Sequence, residues 1–274
     1  MIKLEDVNYK YKNGYSVLEN INLEINEGEI ISIIGKNGSG KSTMLNLIAG
    51  INKPSSGNIF IDDINTKEKK KFIELRKKIG IVFQNPDNQI LFPRIYDDIE
   101  FALKNLNLDN RKQRIENALN TVNMKDFEEK DIYELSLGQK QRINIASVLA
   151  IKPKYIILDE PTTMIDSKEK ENIYNCVRAL KKEGYTIIFV TNNVDEILLS
   201  DRVCILENKK IKHIFNKEEI IKKVNLLEEC DIKIPDIIQI ILKLKENNIN
   251  IDLKEWTIPE IIDEIVKVYK KWKI

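Results

Sequence analysis

A glycine-rich segment that ends in adjacent lysine, serine and threonine residues has the composition of a phosphate-binding loop. The segment Gly35-Lys-Asn-Gly-Ser-Gly-Lys-Ser-Thr43 fits the pattern G-x-x-x-x-G-K-[ST] and stands between an apolar run and a helical pattern at 44–49. Backbone N–H groups of such a loop and the positive end of the following helix bind phosphate oxygens. Lys41 would then reach the β- and γ-phosphates of a nucleotide, and Ser42 would bind Mg²⁺. The residues expected to contact the nucleotide in this segment are Gly35, Asn37, Gly38, Ser39, Gly40, Lys41, Ser42 and Thr43.

A pair of carboxylates, Asp159 and Glu160, follows a second apolar run that begins at Tyr155. Two acidic side chains at the end of a buried strand are unfavourable unless they serve a cation or a reaction. We expect Asp159 to take part in binding Mg²⁺ and Glu160 to be the base that orients an attacking water. For this pair taken alone, a strand that simply ends in acidic loop residues remains the alternative.

Three short apolar runs predict the strands that would position these groups. They lie at 29–35, 155–158 and 186–190, and each ends in polar residues and is followed by a helical pattern. This order predicts an α/β fold with its chemistry at the carboxyl ends of the strands.

The regions between and after these strands have helical patterns. Apolar residues recur at helical spacing in 97–108, 111–122 and 139–151, which predicts a helical subdomain inserted into the sheet domain. From about residue 216 the pattern is again helical, ending in a helix over 259–269 with Thr257 as its expected cap. The tail is therefore expected to be a small helical appendage.

The composition excludes several other classes of protein and site. Lys+Arg number 44 and Asp+Glu 43 in 274 residues, so bulk positive charge does not indicate a nucleic-acid-binding protein. The cysteines at 176, 204 and 230 predict no disulfide framework, and one histidine, His213 in an expected edge strand, argues against Cys/His zinc sites and histidine-based catalytic dyads. No apolar run approaches the roughly 18 residues of a membrane span, and no secretory signal is predicted at the start.

Between the glycine-rich loop and the acidic pair stands Leu135-Ser-Leu-Gly-Gln139, and here the chain resembles the ATP-binding-cassette (ABC) ATPases, whose signature is LSGGQ in most members. The resemblance covers about residues 1–215 and implies the P-loop NTPase fold of that family, with a helical subdomain at about 86–150 inserted into the sheet domain. It implies ATP and Mg²⁺ as cofactors. It also implies a head-to-tail pair of ATPase chains, in which Ser136 and the N–H groups near Gly138 bind the γ-phosphate of the partner's ATP.

Other residues match functional positions of the family. Gln84 follows the strand at Val82-Phe83, Asp166 lies in the short loop after Pro161, and Tyr11 matches the aromatic residue that stacks on adenine. Tyr11 is expected in the loop before the third strand, and an ordinary strand tyrosine is its alternative reading. The resemblance implies catalytic roles for Lys41, Gln84, Glu160 and Asn192, metal contacts from Ser42, Gln84 and Asp159, and nucleotide contacts from Tyr11, Ser136, Gly138, Gln139 and Asp166.

More specifically, Phe83-Gln-Asn-Pro-Asp-Asn-Gln89 followed by Asp97-Asp98 resembles the energy-coupling-factor (ECF) ATPases, which drive uptake of vitamins and transition-metal ions. The segments Ile234-Pro-Asp-Ile-Ile and Thr257-Ile-Pro-Glu resemble the carboxyl-terminal helical extension of that subgroup, here residues 216–274. The resemblance implies a peripheral protein on the cytoplasmic face of the membrane. Its partners would be a second ATPase subunit, a transmembrane coupling subunit contacted by the segment after Gln84, and a substrate-binding membrane subunit.

Two residues depart from the family pattern. Asn192 stands where the family has its switch histidine, and an amide can donate a hydrogen bond to a phosphate but cannot titrate near neutral pH. Leu137 replaces the first glycine of the signature, which would cost about 1–2 kcal/mol if that position needs a positive φ. These departures favour a heterodimer with unequal sites, although a homodimer remains possible.

Two other functions remain as alternatives. One is an ABC protein that acts on ribosomes or DNA, but the chain has a single cassette and no long coiled-coil insertion. The other is a regulatory partner that binds ATP and hydrolyses it poorly. Asn192 favours this regulatory role, whereas the intact Glu160 opposes it.

Overall fold

The computed structural model describes residues 1–234, 236–247, 249 and 258–272, and its strands form two sheets. The strands are β1 (Ile2–Lys10), β2 (Ser16–Ile25), β3 (Ile30–Ile34), β4 (Ser56–Ile61), β5 (Ile64–Asn65), β6 (Ile79–Val82), β7 (Tyr155–Asp159), β8 (Thr186–Val190), β9 (Arg202–Glu207) and β10 (Lys210–Asn216). The first sheet has the order β2-β1-β4-β5 and is antiparallel, and the second has the order β10-β9-β3-β8-β7-β6.

Five neighbouring strands of the second sheet, from β9 to β6, run parallel. Val190 at the end of β8 pairs with both Ile33 of β3 and Asp159 of β7, so these strands end at the same level. Every residue of β3 and β8 is buried, which explains their continuous apolar sequence. The predicted α/β fold is confirmed, and the loops after β3, β6, β7 and β8 meet at one edge of the sheet.

The helices surround this sheet and, between β6 and β7, form a separate layer. The helices are α1 (Lys41–Ile48), α2 (Phe72–Lys78), α3 (Ile95–Asn105), α4 (Arg111–Thr121), α5 (Leu137–Ile151), α6 (Ser167–Lys182), α7 (Val194–Leu199), α8 (Val224–Glu229), α9 (Asp236–Glu246) and α10 (Ile258–Trp272). The predicted spans 97–108, 111–122 and 139–151 correspond to α3, α4 and α5. Helix α5 begins two residues earlier than predicted because Ser136 and Gln139 form a capping box at its start.

The chain after β10 packs on the edge of the second sheet. Residues of α8 and α9, among them Leu227 and Ile238, share a buried cluster with Ile34 of β3 and Phe215 of β10. The predicted helix over 259–269 lies within α10, whereas its predicted cap Thr257 lies outside the described residues. Helix α10 exposes the apolar side chains Ile262, Val266 and Tyr269.

The remaining expectations concern the cysteines, the histidine and the membrane. Cys176, Cys204 and Cys230 are free and buried. His213 lies in β10, the edge strand of the second sheet, as predicted. Across the described part of the chain, no helix combines the length and the apolar character that a membrane span requires.

Candidate nucleotide-binding site

The glycine-rich loop connects β3 to α1, as the sequence predicts. Its first residue, Gly35, passes so close to β9 that an added Cβ would lie 2.2 Å from the carbonyl oxygen of Leu206. Gly40 adopts φ 106° immediately before α1, a left-handed conformation that a side chain disfavours. The glycines therefore allow the chain to turn sharply and present the amino end of α1 to the cavity in front of it.

Lys41 lies within this loop and is 6% exposed. Its Nζ donates hydrogen bonds to the carbonyl oxygens of Gly35, at 2.5 Å, and Lys36, at 3.4 Å. Burial lowers the pKa of Lys41, and the carboxylates of Glu160 and Asp159 oppose this shift. The loop thus holds the ammonium group at the place where the sequence predicts phosphate oxygens.

The acidic pair lies opposite the loop. Glu160 has φ 43°, and its Oε2 accepts a hydrogen bond from Gln84 Nε2 at 2.9 Å and another from the Thr163 hydroxyl at 3.3 Å. Burial, together with the charge of Glu160, raises the pKa of Asp159 to about 6, although Lys41 opposes the shift. The structure therefore brings together the predicted residues Lys41, Asp159, Glu160 and Gln84.

The donor set fits the magnesium ion that the sequence implies. Ser42, Gln84 and Asp159 supply hydroxyl, amide and carboxylate oxygens, which are the ligand types that Mg²⁺ prefers. The carboxylate of Asp159 makes no hydrogen bond with any described residue, so it remains available to a cation. Among the described residues no group of three His, Cys, Asp or Glu side chains could hold a metal alone.

Asn192 follows β8 and reaches the start of the glycine-rich loop. Its Oδ1 accepts a hydrogen bond from the backbone N–H of Gly35 at 3.2 Å. The carbonyl oxygen of the same Gly35 accepts a hydrogen bond from the Lys41 ammonium group. Asn192 thus braces the loop that holds Lys41, a contact that the sequence did not predict.

Tyr11 lies directly after β1, in the turn before β2, so its predicted place in the loop before the third strand is wrong. The offset arises because β2 is a separate strand of the first sheet. Its hydroxyl lies 3.0 Å from Thr43 Oγ1, and its ring packs edge-on against Tyr9 with centroids 5.2 Å apart. The Tyr11 side chain is 45% exposed, which leaves ring surface free to stack on a base.

A cavity of about 300 Å³ joins Tyr11 to the glycine-rich loop and Glu160. Tyr15 and Val17 also line it, and the sequence analysis missed both. A second aromatic residue four positions after Tyr11 was the available signal. The size and lining of the cavity suit a nucleoside with a phosphate chain.

Comparisons with known proteins agree with this geometry. Residues 18–163 match the family model described as ABC transporter. The chain belongs to the ABC transporter family. The energy-coupling factor transporter ATP-binding protein EcfA1 of Oenococcus oeni is 41% identical over 254 residues, covering 91% of each chain.

Solved structures of ABC proteins are similar to this chain over most of its length. A structure of cbiO1 from Clostridium perfringens, described as part of the ABC transporter complex cbiONQ, is 36% identical with a TM-score of 0.75, covering 87% of this chain and 97% of that one. The dimeric ATP-binding cassette MJ0796 bound to ADP and Pi is 33% identical with a TM-score of 0.72, covering 79% and 99%. The chain is therefore an ABC ATPase cassette of the ECF type.

The ABC signature of this chain lies away from its own cavity, at the start of α5. Ser136 Oγ accepts the backbone N–H of Gln139 at 3.3 Å, and Gln139 Oε1 accepts the N–H of Ser136 at 3.0 Å. Leu137 is the first residue of α5 and is absent from the residues with positive φ. The cost considered for a leucine at positive φ therefore does not apply.

Two other ABC positions have structural roles of their own. A Cβ at Gly138 would lie 2.5 Å from Glu169 Cγ, so glycine allows α5 to pack closely on α6. The carboxylate of Asp166 caps α6 by accepting the N–H groups of Lys168 and Glu169 at 2.9 and 3.0 Å. Neither residue lines the cavity at the glycine-rich loop.

Proposed function

We propose that this chain binds and hydrolyses ATP as a subunit of an ECF-type importer, and that it drives uptake of a vitamin or transition-metal ion through membrane partners. The observation that carries this proposal is the meeting of Lys41, Gln84 and Glu160 at one edge of the parallel sheet. The name of the Oenococcus oeni relative supports the ECF subgroup. Another polypeptide would recognise the transported molecule.

The residues divide the chemistry between them. Lys41 and the N–H groups of the glycine-rich loop bind and orient the β- and γ-phosphates. Ser42, Asp159 and Gln84 would hold Mg²⁺, which would supply positive charge to neutralise the phosphate oxygens. Glu160 accepts a proton from the attacking water, and the Gln84 amide holds the Glu160 carboxylate in place.

The direct test is Mg²⁺-ATP turnover by the purified chain, with Glu160→Gln as the blank. Hydrolysis that disappears in the blank is the expected result. ATP binding without turnover would instead favour a second candidate function, a regulatory partner with a poorly hydrolysing site, to which Asn192 points.

A second groove, which shares no lining residue with the ATP cavity, suits the membrane coupling subunit. It has a volume of about 510 Å³ and lies between α2 and the segment after Gln84. Its lining includes the exposed side chains of Phe72, Ile73, Leu91 and Phe101. An amphipathic cytoplasmic helix of a membrane subunit would bury these groups.

Charge beside the groove supports a peripheral position at the cytoplasmic face of the membrane. Residues 67–78 include seven basic and two acidic side chains, although the whole chain has a net charge of +1. Such a segment is attracted to an anionic membrane surface.

The segment that forms one wall of the groove is fastened to α5. Asn144 Nδ2 donates to the carbonyl oxygen of Pro86 at 2.9 Å, and Gln141 Nε2 donates to that of Phe83 at 3.0 Å. Both donors are buried. Movement of the groove wall therefore reaches the helix that begins at the signature.

Replacing Asp98 by alanine is expected to weaken binding to the membrane subunits by about tenfold or more, because Asp98 Oδ1 accepts the N–H groups of Leu91 and Phe92 at 2.7 and 3.0 Å. Without this carboxylate the groove wall loses its anchor to α3. The measurement is co-purification with the membrane subunits at rising salt. Asp97→Ala, which removes a half-exposed carboxylate one residue away, is the control. Equal loss in both variants would contradict the role of Asp98.

The two departures from the ABC pattern support a heterodimer. The site built on Lys41, Glu160 and Asn192 would use the partner's signature, whereas the partner's site would use Leu137. Leucine keeps its backbone N–H and begins α5 without strain, so Asn192 is the more consequential departure. The site with Asn192 would turn over more slowly than the other.

Replacing Asn192 by histidine is expected to raise the single-turnover rate of this site by about tenfold, because a histidine can carry a charge toward the γ-phosphate. In its neutral form the imidazole can accept the N–H of Gly35, and on protonation it gives up this bond and donates from both ring nitrogens. Single-turnover hydrolysis in the assembled pair measures the change, with Asn192→Ala as the matched variant that lacks both functions. Equal rates at the two sites of the unmodified pair would contradict the proposal.

A further inference from the structure

A buried carboxyl group behind the ATP site connects two of its loops. Glu196 of α7 is 1% exposed, and its Oε1 accepts a hydrogen bond from the Thr162 hydroxyl at 2.6 Å. Thr162 is fully buried and stands two residues after Glu160, in the loop that follows β7. Glu196 therefore holds the loop that carries the proposed catalytic base.

The Thr162 hydroxyl also accepts a hydrogen bond from the loop that follows β8. Asn193 Nδ2 donates to Thr162 Oγ1 at 3.1 Å and to the Tyr174 hydroxyl at 3.0 Å. The backbone N–H of Asn193 donates to the Thr191 hydroxyl at 2.8 Å. Asn193 directly follows Asn192, which braces Gly35. The network thus connects the base to the start of the glycine-rich loop.

Burying a carboxyl group costs more free energy than burying an apolar side chain of similar size. Glu196 Oε2 has no hydrogen-bond partner among the described residues. A leucine or methionine would fill a similar volume without burying a polar group. The carboxyl is therefore better explained by its hydrogen bond to Thr162 than by packing.

Burial is the main influence on the ionisation of Glu196. Burial raises the pKa of Glu196 to about 7, the charge of Glu160 adds to this, and the hydroxyls of Thr162 and Thr191 and the charge of Lys170 oppose it. Tyr174 of α6 faces the same group, and its own pKa is raised by burial and by the carboxylates of Glu196 and Asp195.

We propose that Glu196 is a positioning residue for hydrolysis, which sets the separation of the Glu160 and Asn192 loops through Thr162 and Asn193. The inference rests on the proposed ATPase function. Loss of the network would leave nucleotide contacts in place and misplace the base relative to the γ-phosphate. It would therefore lower kcat and leave KM nearly unchanged.

The test uses the full chain in its assembly. The quantity measured is Mg²⁺-ATP turnover, and Glu160→Gln, which abolishes turnover, is the blank. Thr162→Val and Glu196→Ala are expected to lower kcat at least about tenfold with KM within about twofold. Glu196→Gln keeps an acceptor for Thr162 and is expected to retain about half of kcat at pH 6.5. Asp195→Asn, an exposed carboxylate on the same helix, is the matched control and should leave kcat unchanged.

The pH dependence of kcat provides a second measurement, which a simple loss of packing would not change. As the pH rises from 6 to 8.5, Glu196 ionises in the unmodified chain and accepts the Thr162 hydroxyl more strongly, so kcat relative to Glu196→Gln is expected to rise about threefold. If Glu196→Ala does not fold, Thr162→Val and this profile decide the matter.

Three results would overturn the inference. The first is an unchanged kcat in Thr162→Val. The second is an identical pH profile of kcat in the unmodified chain and in Glu196→Gln. The third is that Glu196→Gln and Glu196→Ala show the same decrease in kcat and melting temperature and the same change in KM. Absence of any turnover that depends on Glu160 would overturn the proposed function itself, and the inference with it.

Discussion

Glu160→Gln is expected to lower kcat for ATP by a factor of about 10² to 10⁴, while ATP affinity changes little. The amide has the same shape as the carboxylate but cannot accept a proton from water. In the structure the Glu160 carboxylate is already held by Gln84 at 2.9 Å and Thr163 at 3.3 Å. The substitution therefore removes the base and keeps the site. Steady-state phosphate release and equilibrium binding of a fluorescent ATP analogue measure the two quantities.

The control for this variant is Glu171→Gln, which neutralises a glutamate on α6 that pairs with Arg178 at 2.8 Å and is 57% exposed. Its kcat should equal that of the unmodified chain. If Glu160→Gln keeps kcat within about threefold, a different group serves as the base, and the assignment of Glu160 is wrong.

Lys41→Met is expected to weaken ATP binding by about 10- to 150-fold, which corresponds to the roughly 1.5–3 kcal/mol of a hydrogen bond to a charged group. Methionine preserves most of the buried volume of the 6%-exposed lysine but cannot donate to a phosphate oxygen. The fold should persist because methionine removes the desolvation cost of the buried ammonium, which offsets the loss of its hydrogen bonds to the carbonyl oxygens of Gly35 and Lys36. Isothermal titration with ATP, together with thermal unfolding, separates affinity from stability.

A matched control for Lys41→Met is Lys36→Met in the same loop. The Lys36 side chain is 53% exposed and lies 3.7 Å from Asp231. A pair this exposed contributes little, so ATP affinity should stay within about threefold of the unmodified value. Similar weakening in both variants would mean that the net charge of the loop matters, and not the position of Lys41.

The sequence predicted the part of the fold that apolar runs and glycines determine. Residues 186–190 have the same bounds in β8, and the glycine-rich loop joins β3 to α1, because buried parallel strands must be apolar throughout. The meeting of Lys41 with Glu160 follows from the shared edge of the sheet, which the strand pattern also predicts.

The rest of the site depends on contacts between segments that are distant in sequence. Tyr15 lines the cavity only because the β1–β2 turn folds over the loop, and the bond from Gly35 to Asn192 spans 157 positions. The strain considered at Leu137 does not arise because Leu137 is the first residue of α5 and does not have a positive φ. The periodicity of apolar residues within one segment does not predict such contacts. The domain boundaries at 215 and 86–150 remain predictions.

The attachment of the groove wall to α5 has a mechanical consequence. Ser136 and Asn144 lie on one continuous helix, about 12 Å apart along its axis. A helix of this length moves as a stiff rod, so a displacement of Pro86, which contacts the middle of α5, would tilt the capped turn at its start. A membrane partner bound at the groove and a nucleotide bound at the signature would then act on the same rigid helix, so a movement at either contact would be transmitted to the other.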